Sequence, residues 1–156
     1  MKKLIELLTK NNKTISTMES CTGGGIANAI TNIEGASEVI EFSAVTYCNE
    51  YKIKMGVDAD VIEKYSVYSY ETVKEMSKAI SNYTNSNYGV GVSGKLNRAD
   101  ESNRFGKDNE VFYSIYDKDN DKYYTDKITV TEGSRKENKD IVIEKIVDKL
   151  LEIIGE

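Results

Sequence analysis

The run Thr14-Ile15-Ser16-Thr17-Met18 alternates like a strand, Ile26, Ala27, Ala29 and Ile30 recur at helical spacing in a helix expected to continue until Glu34-Gly35, and only Glu19-Ser20-Cys21-Thr22-Gly23-Gly24-Gly25 lies between strand and helix. A strand that passes into a helix across so tight a glycine-rich turn fixes where that helix starts and points to an α/β fold. The remaining segments agree. Leu4, Ile5, Leu7 and Leu8 make a first helix that Asn11-Asn12 stops, and residues 39–48 are rich in strand formers, so a second strand is expected to end near Tyr47. Residues 58–64 read as a short helix, and Ser69 caps a longer one through Tyr83 with Val73, Met76 and Ile80 on one face. Tyr88-Gly89-Val90-Gly91-Val92 is a buried strand, and residues 94–109 carry few large apolar groups, chiefly Leu96 and Phe105, as expected of a long polar loop. Runs at 111–116 and 123–130 flank the hydrophilic turn Asp117-Lys118-Asp119-Asn120-Asp121 and predict an antiparallel hairpin. A closing helix bears Ile143, Ile146, Val147, Leu150, Leu151 and Ile154 on one stripe, to be packed onto the sheet. This order predicts a single three-layer α/β/α domain with a mixed sheet over residues 1–156.

The turn also presents a hydroxyl. Ser20 sits where a strand-to-helix connection exposes a side chain, with the backbone N–H groups that follow it and the helix N-terminus available for an oxyanion or a phosphate. The same small residues also suit a plain tight turn. The chain has no histidine, which excludes Ser-His-Asp triads, Cys-His dyads and His-based zinc helices. A base for Ser20 must therefore be a neutral lysine, a carboxylate of raised pKa or a metal-bound water.

Composition narrows the partners. A length of 156 residues suits one domain, and a formal charge of −5 argues against a general nucleic-acid surface. No apolar run reaches the length of a membrane span, and the first residues meet charge too early for a signal peptide, so the expected location is cytoplasmic, with no membrane partner. Cys21 and Cys48 read as free thiols in a reducing compartment. Asp119, Asn120 and Asp121 are residue types found in calcium loops, but the glycine and the closing glutamate of that pattern are missing, so a hairpin turn is the better reading and no metal site is expected.

The segment Thr17-Met18-Glu19-Ser20-Cys21-Thr22-Gly23-Gly24 resembles the Thr-Ala-Glu-Ser-Cys-Thr-Gly-Gly motif of the CinA C-terminal domain, the family that includes the stand-alone nicotinamide-nucleotide amidase (PncC). Glu34-Gly35-Ala36-Ser37 is similar to its Pro-Gly-Ala-Ser turn, and Val45-Thr46-Tyr47-Cys48-Asn49-Glu50-Tyr51-Lys52 to its Val-Thr-Tyr-Ser-Asn-Glu-x-Lys. Val67-Tyr68-Ser69 and Gly133-Ser134-Arg135 resemble its Ala-Val-Ser and Gly-Asp-Arg segments, so the likeness runs in order along nearly the whole chain.

The resemblance implies a CinA-like fold and hydrolysis of the carboxamide of nicotinamide mononucleotide to nicotinic acid mononucleotide and ammonia. Ser20 would be the nucleophile, Lys52 its base, and Tyr47 a bridge or orienting group between them. Such a lysine must be neutral, and burial can lower a lysine from about 10.4 by several units. Thr22, Gly23 and Gly24 would offer backbone donors to the oxyanion, with Cys21, Asn49, Ser93, Gly94 and Arg135 lining the substrate; Arg135 suits a phosphate or a helix-start ion pair. Neither a metal nor an organic cofactor is needed. The expected partner is a small pyridine nucleotide, and self-association into a homo-oligomer stays open.

The chain departs from the family after the third strand. Ser93-Gly94 keeps the opening of the family's Thr-Gly-Ile-Ala-Gly-Pro loop, but Lys95-Leu96-Asn97-Arg98-Ala99-Asp100 replaces the rest in a chain without proline. Bulky side chains where glycine would let backbone approach a ligand alter the pocket wall. Two readings follow: an amidase in which Lys95, Arg98 or Arg104 takes over phosphate recognition, or a catalytically silent relative acting as a nucleotide-binding or protein-interaction module.

Overall fold

The structure, a computed structural model, describes residues 1–97, 107–131 and 133–155. In chain order its elements are α1 (Lys2–Lys10), β1 (Ile15–Glu19), α2 (Gly25–Thr31), a short 3-10 helix (Ala36–Glu38), β2 (Ala44–Val45), α3 (Asn49–Lys54), α4 (Ala59–Tyr65), α5 (Tyr70–Thr84), β3 (Tyr88–Gly94), β4 (Glu110–Asp117), β5 (Lys122–Thr129) and α6 (Arg135–Gly155). The strands form one sheet in the order β2-β1-β3-β4-β5. Pairing is parallel from β2 through β1 to β3 and antiparallel from β3 through β4 to β5. The sheet is therefore mixed, as the order of sequence segments predicts.

Alternation along the strands divides the apolar side chains between two faces. Ile15, Val90, Val92, Val111, Tyr113 and Ile115 join one cluster with Leu4 and Leu8 of α1, Ile26 and Ile30 of α2, and Val142, Ile146 and Leu150 of α6. Met18 and Phe112 point the other way, onto Val73, Met76 and Ile80 of α5. Two glycines let α5 lie that close. A Cβ on Gly89 would stand 2.0 Å from the Ser77 carbonyl oxygen, and one on Gly91 would stand 2.5 Å from that of Val73. The pattern Gly-Val-Gly thus presents bare backbone to α5 and valine to α6.

Three expectations are corrected. The strand-rich stretch 39–48 supplies only the two residues of β2. Before it the chain runs through the 3-10 helix, Val39 gives its carbonyl to the Ile15 N–H at 2.8 Å, and the Ser43 hydroxyl oxygen accepts from the Thr17 N–H while lying 2.8 Å from the Thr17 hydroxyl. Single acceptors, one of them a side chain, take the place of a ladder along the edge of β1. The helix after the glycine turn ends at Thr31 rather than near Glu34. Lys95 and Leu96, expected in a polar loop, are buried at 5% and 1% exposure, and Asn97 ties the neck of that loop to Asn109, Gly133 and Asn138. Arg98, Ala99, Asp100, Arg104 and Phe105 lie outside the described residues. The hairpin turn at 117–121 forms as expected, with Asp119 bonded to Lys13 and Asn87.

Candidate active site

Ser20 stands one residue past the end of β1, and its N–H extends the pairing with β3 by donating to the Val92 carbonyl at 3.1 Å. On the other side, the Thr46 N–H donates to the Glu19 carbonyl at 2.8 Å, which registers the segment leading into α3 against the same strand end. Lys52 rises from α3 toward Ser20. Its Nζ donates to the Thr46 carbonyl at 2.7 Å and to Ser20 Oγ at 3.2 Å. Lys52 is 1% exposed and Ser20 8%, so an amine and a hydroxyl meet in a place nearly closed to water. This is hydrogen-bond reach for proton transfer.

The turn that follows differs from the expected donor set. Gly23 and Gly24 adopt φ of 60° and 90°, which suits glycine, and the Gly23 N–H closes the turn onto the Ser20 carbonyl at 2.9 Å. The Gly25 N–H goes to Thr22, and those of Ile26 and Ala27 go to the Glu19 carboxyl at 2.9 and 3.0 Å. The start of α2 is therefore already filled and presents no donor to an anion. Among the described residues the N–H groups of Thr22 and Gly24 donate to no acceptor, and that of Cys21 only to its own thiol. The Gly23 N–H, expected among the oxyanion donors, is thus taken up within the turn.

Tyr47 does not bridge Ser20 and Lys52. It is 63% exposed, and its hydroxyl accepts from Arg135, whose second terminal nitrogen donates to the Leu96 carbonyl. A strand-end aromatic one step along the edge points outward when its neighbour Thr46 points in. Cys21 is buried, and that burial pushes its thiol up to about 12, with Arg135 pulling weakly the other way. Asn49 opens α3 beside Glu50, which pairs with Lys54. Gly94 ends β3 against Val111, where a Cβ would stand 2.6 Å from the neighbouring Cα. Ser93 Oγ and Thr46 Oγ1 are enclosed without a hydrogen-bond partner among the described residues, one on each side of Ser20 in the sheet order. Of the three candidate replacement cations only Lys95 is described; its amine lies 5.1 Å from the Tyr68 ring centre.

Thr46 and Glu19 are the participants that sequence reasoning missed. Thr46 acts through its carbonyl, which any residue would supply, and Glu19 is legible only as part of the quoted motif. A cavity of about 820 Å³ opens on the far side of the glycine turn, between Thr22, Gly23, Gly24 and Asn28 and the α6 residues Lys139 and Ile143. Neither Ser20 nor Lys52 lines it.

Comparison with known proteins gives one coherent result. The family described as the CinA C-terminal domain matches residues 1–154. A CinA-like protein of Fervidobacterium nodosum is 48% identical over 90 residues, which are 57% of this chain and 22% of that protein. One from Endomicrobium trichonymphae is 46% identical over 89 residues, 56% of this chain and 21% of the relative. The shared stretch is thus a small part of these longer relatives. Among solved structures, a CinA superfamily protein from Klebsiella pneumoniae superposes with a TM-score of 0.91 at 20% identity, covering 99% of this chain and 94% of that one. A competence/damage inducible protein from Agrobacterium tumefaciens gives 0.88 at 24% identity, covering 99% and 92%. At these identities the likeness is one of fold.

Proposed function

Because the chain belongs to the family of CinA C-terminal domains, we propose that it is an amidohydrolase that converts nicotinamide mononucleotide to nicotinic acid mononucleotide and ammonia. The observation that carries this reading is the 3.2 Å contact between Ser20 Oγ and Lys52 Nζ, made out of water in a chain that has no histidine. Withdrawal from water disfavours the ammonium form of Lys52, and the neutral amine is the form a base requires.

In the proposed reaction Lys52 Nζ takes the Ser20 hydroxyl proton while Oγ attacks the carboxamide carbon. The tetrahedral oxyanion is received by backbone donors beside the nucleophile, of which the Cys21 N–H is the nearest in sequence. As the C–N bond breaks, Lys52 returns its proton to the leaving nitrogen and ammonia departs, leaving an ester on Ser20. A water molecule then gives Lys52 a proton and attacks the ester, and the acid leaves as Ser20 recovers its hydrogen. The Thr46 carbonyl holds one amine proton throughout and so keeps the nitrogen beside Ser20. At the rim, Tyr47 presents an exposed ring to the pyridine, and Arg135 keeps guanidinium N–H groups for the phosphate beyond the two bonds it makes to Leu96 and Tyr47.

Ammonia release from nicotinamide mononucleotide by the purified protein, with the acid product identified directly, tests the proposal. Turnover should be lost in Ser20→Ala and Lys52→Ala, by about 10³-fold or more if the pair acts as a unit. A folded wild type that releases no ammonia would overturn it. If the same nucleotide then raised the melting temperature, the silent binding-module reading would take its place.

A further inference from the structure

Glu19 has no exposed area, although it carries a carboxyl group, and such a group is tolerated inside a protein only when its oxygens are bonded. Here both oxygens are. Oε1 accepts from the Thr22 hydroxyl at 2.7 Å and the Ile26 N–H at 2.9 Å; Oε2 accepts from the Thr17 hydroxyl at 2.9 Å and the Ala27 N–H at 3.0 Å. The donors come from both sides of Ser20: Thr17 precedes it on β1, Thr22 follows it in the turn, and Ile26 and Ala27 belong to α2. One side chain therefore ties strand, turn and helix together across the residue that carries the candidate nucleophile. The four donors that hold Glu19 are thus all in the strand, turn and helix, whereas Ser20 Oγ and Lys52 Nζ bond to each other and Lys52 Nζ also to the Thr46 carbonyl.

We propose that Glu19 is a positioning residue, whose four hydrogen bonds hold the Ser20 turn so that the side chain at position 20 meets Lys52 Nζ. Its catalytic consequence rests on the Ser20–Lys52 reading; its geometric content does not. Two of these bonds occupy the Ile26 and Ala27 N–H groups of α2, and the Gly25 N–H goes to Thr22, which is why an oxyanion would be received by the turn and not by the helix.

The test replaces the hydroxyl by a thiol, so that it reads geometry whether or not the protein is an amidase. Ser20→Cys is made in a Cys48→Ser background, where Cys21 stays protonated and silent, and alkylation of position 20 by iodoacetamide is timed at pH 7. An amine in contact favours the reactive thiolate. Glu19→Gln is then added: an amide has one acceptor oxygen, and its NH2 faces donors, so the tie is broken. Positioning predicts that alkylation slows by at least about tenfold while the far-ultraviolet circular dichroism is kept, since a misplacement of about 1 Å can cost more than that. The direction is diagnostic. If Glu19 mattered only through its negative charge, removing it would favour the thiolate and speed alkylation. If it mattered only to stability, the melting temperature would fall and the rate would hold. Thr22→Val, which removes one donor, covers the case in which Glu19→Gln does not fold, and should slow alkylation several-fold. An unchanged or faster rate in the folded variants overturns the proposal, whereas absence of ammonia release by the wild type would sink the amidase reading and leave this result standing.

Discussion

The thiol beside the candidate nucleophile is chemically the less available of the chain's two cysteines, and the reason is location. Burial pushes Cys21 up to about 12, so at pH 8 only about one molecule in 10⁴ carries its thiolate. Cys48 is exposed at the start of α3. Iodoacetamide at pH 8 should therefore modify Cys48 alone, with Cys21 reacting only after denaturant is added, as mass spectrometry of the peptides would show; early labelling of Cys21 would mean that the turn opens readily. At this scale the sequence was informative about side chains and silent about backbone. Ser20 stands out from its turn, whereas Lys52, one of many lysines, could be named only through the motif the chain shares with the CinA C-terminal domain. The Thr46 carbonyl that holds Lys52 could not, because every residue has a carbonyl, and only the register of Thr46 against Glu19 brings this one to the amine. The filling of α2's first N–H groups by Glu19 was hidden for the same reason: a glutamate before a turn is ordinarily a solvated charge, and its burial is a property of the packed sheet.

Contacts between whole elements decide how much the sheet tolerates. At Gly91 an added Cβ would stand 2.5 Å from the Val73 carbonyl oxygen and 2.7 Å from the Ser77 N–H nitrogen, both backbone atoms of α5 that cannot swing aside. Gly91→Ala should therefore lift α5 from the sheet and lower the unfolding free energy in urea by about 3 kcal/mol, the upper end of overpacking costs. Gly35→Ala is the control: open space surrounds the site, and a φ of 87° leaves only local strain, about 1 kcal/mol. Equal losses at the two positions would contradict the close approach of α5. Elements with a strong period were readable in advance, α5 with its Ser69 cap and β3 with its alternation among them. The edge was not. Residues 39–48 have strand propensity throughout, but a strand needs a partner along its length, and β1 offers its edge to β2 at only two positions. Lys95 and Leu96 were misread in kind, since a polar neighbourhood in sequence says nothing of the Tyr68 ring beside Lys95 or of the apolar cluster that takes in Leu96.

The molecule as a whole joins two apolar clusters through one sheet, and the candidate site sits at the end of that sheet's first strand, where the turn after β1 meets α3. Among the described residues no helix is long and apolar enough to cross a membrane. Within this frame Lys52 is the largest of the fully enclosed side chains. Enclosing a lysine means either desolvating its ammonium or holding it neutral, at a cost of several kcal/mol, set against bonds such as those to the Thr46 carbonyl and Ser20 Oγ, worth about 1 kcal/mol each. Lys52→Met, which keeps the volume, should therefore raise the unfolding free energy by about 1 kcal/mol in urea while ammonia release disappears; a less stable variant would mean that the amine is better accommodated than its enclosure suggests. The position sets durability against usefulness. An engineer who asked only for a hardier scaffold would be drawn to this lysine first, and the improved protein would keep every layer of the fold and, on the amidase reading, have nothing left to do.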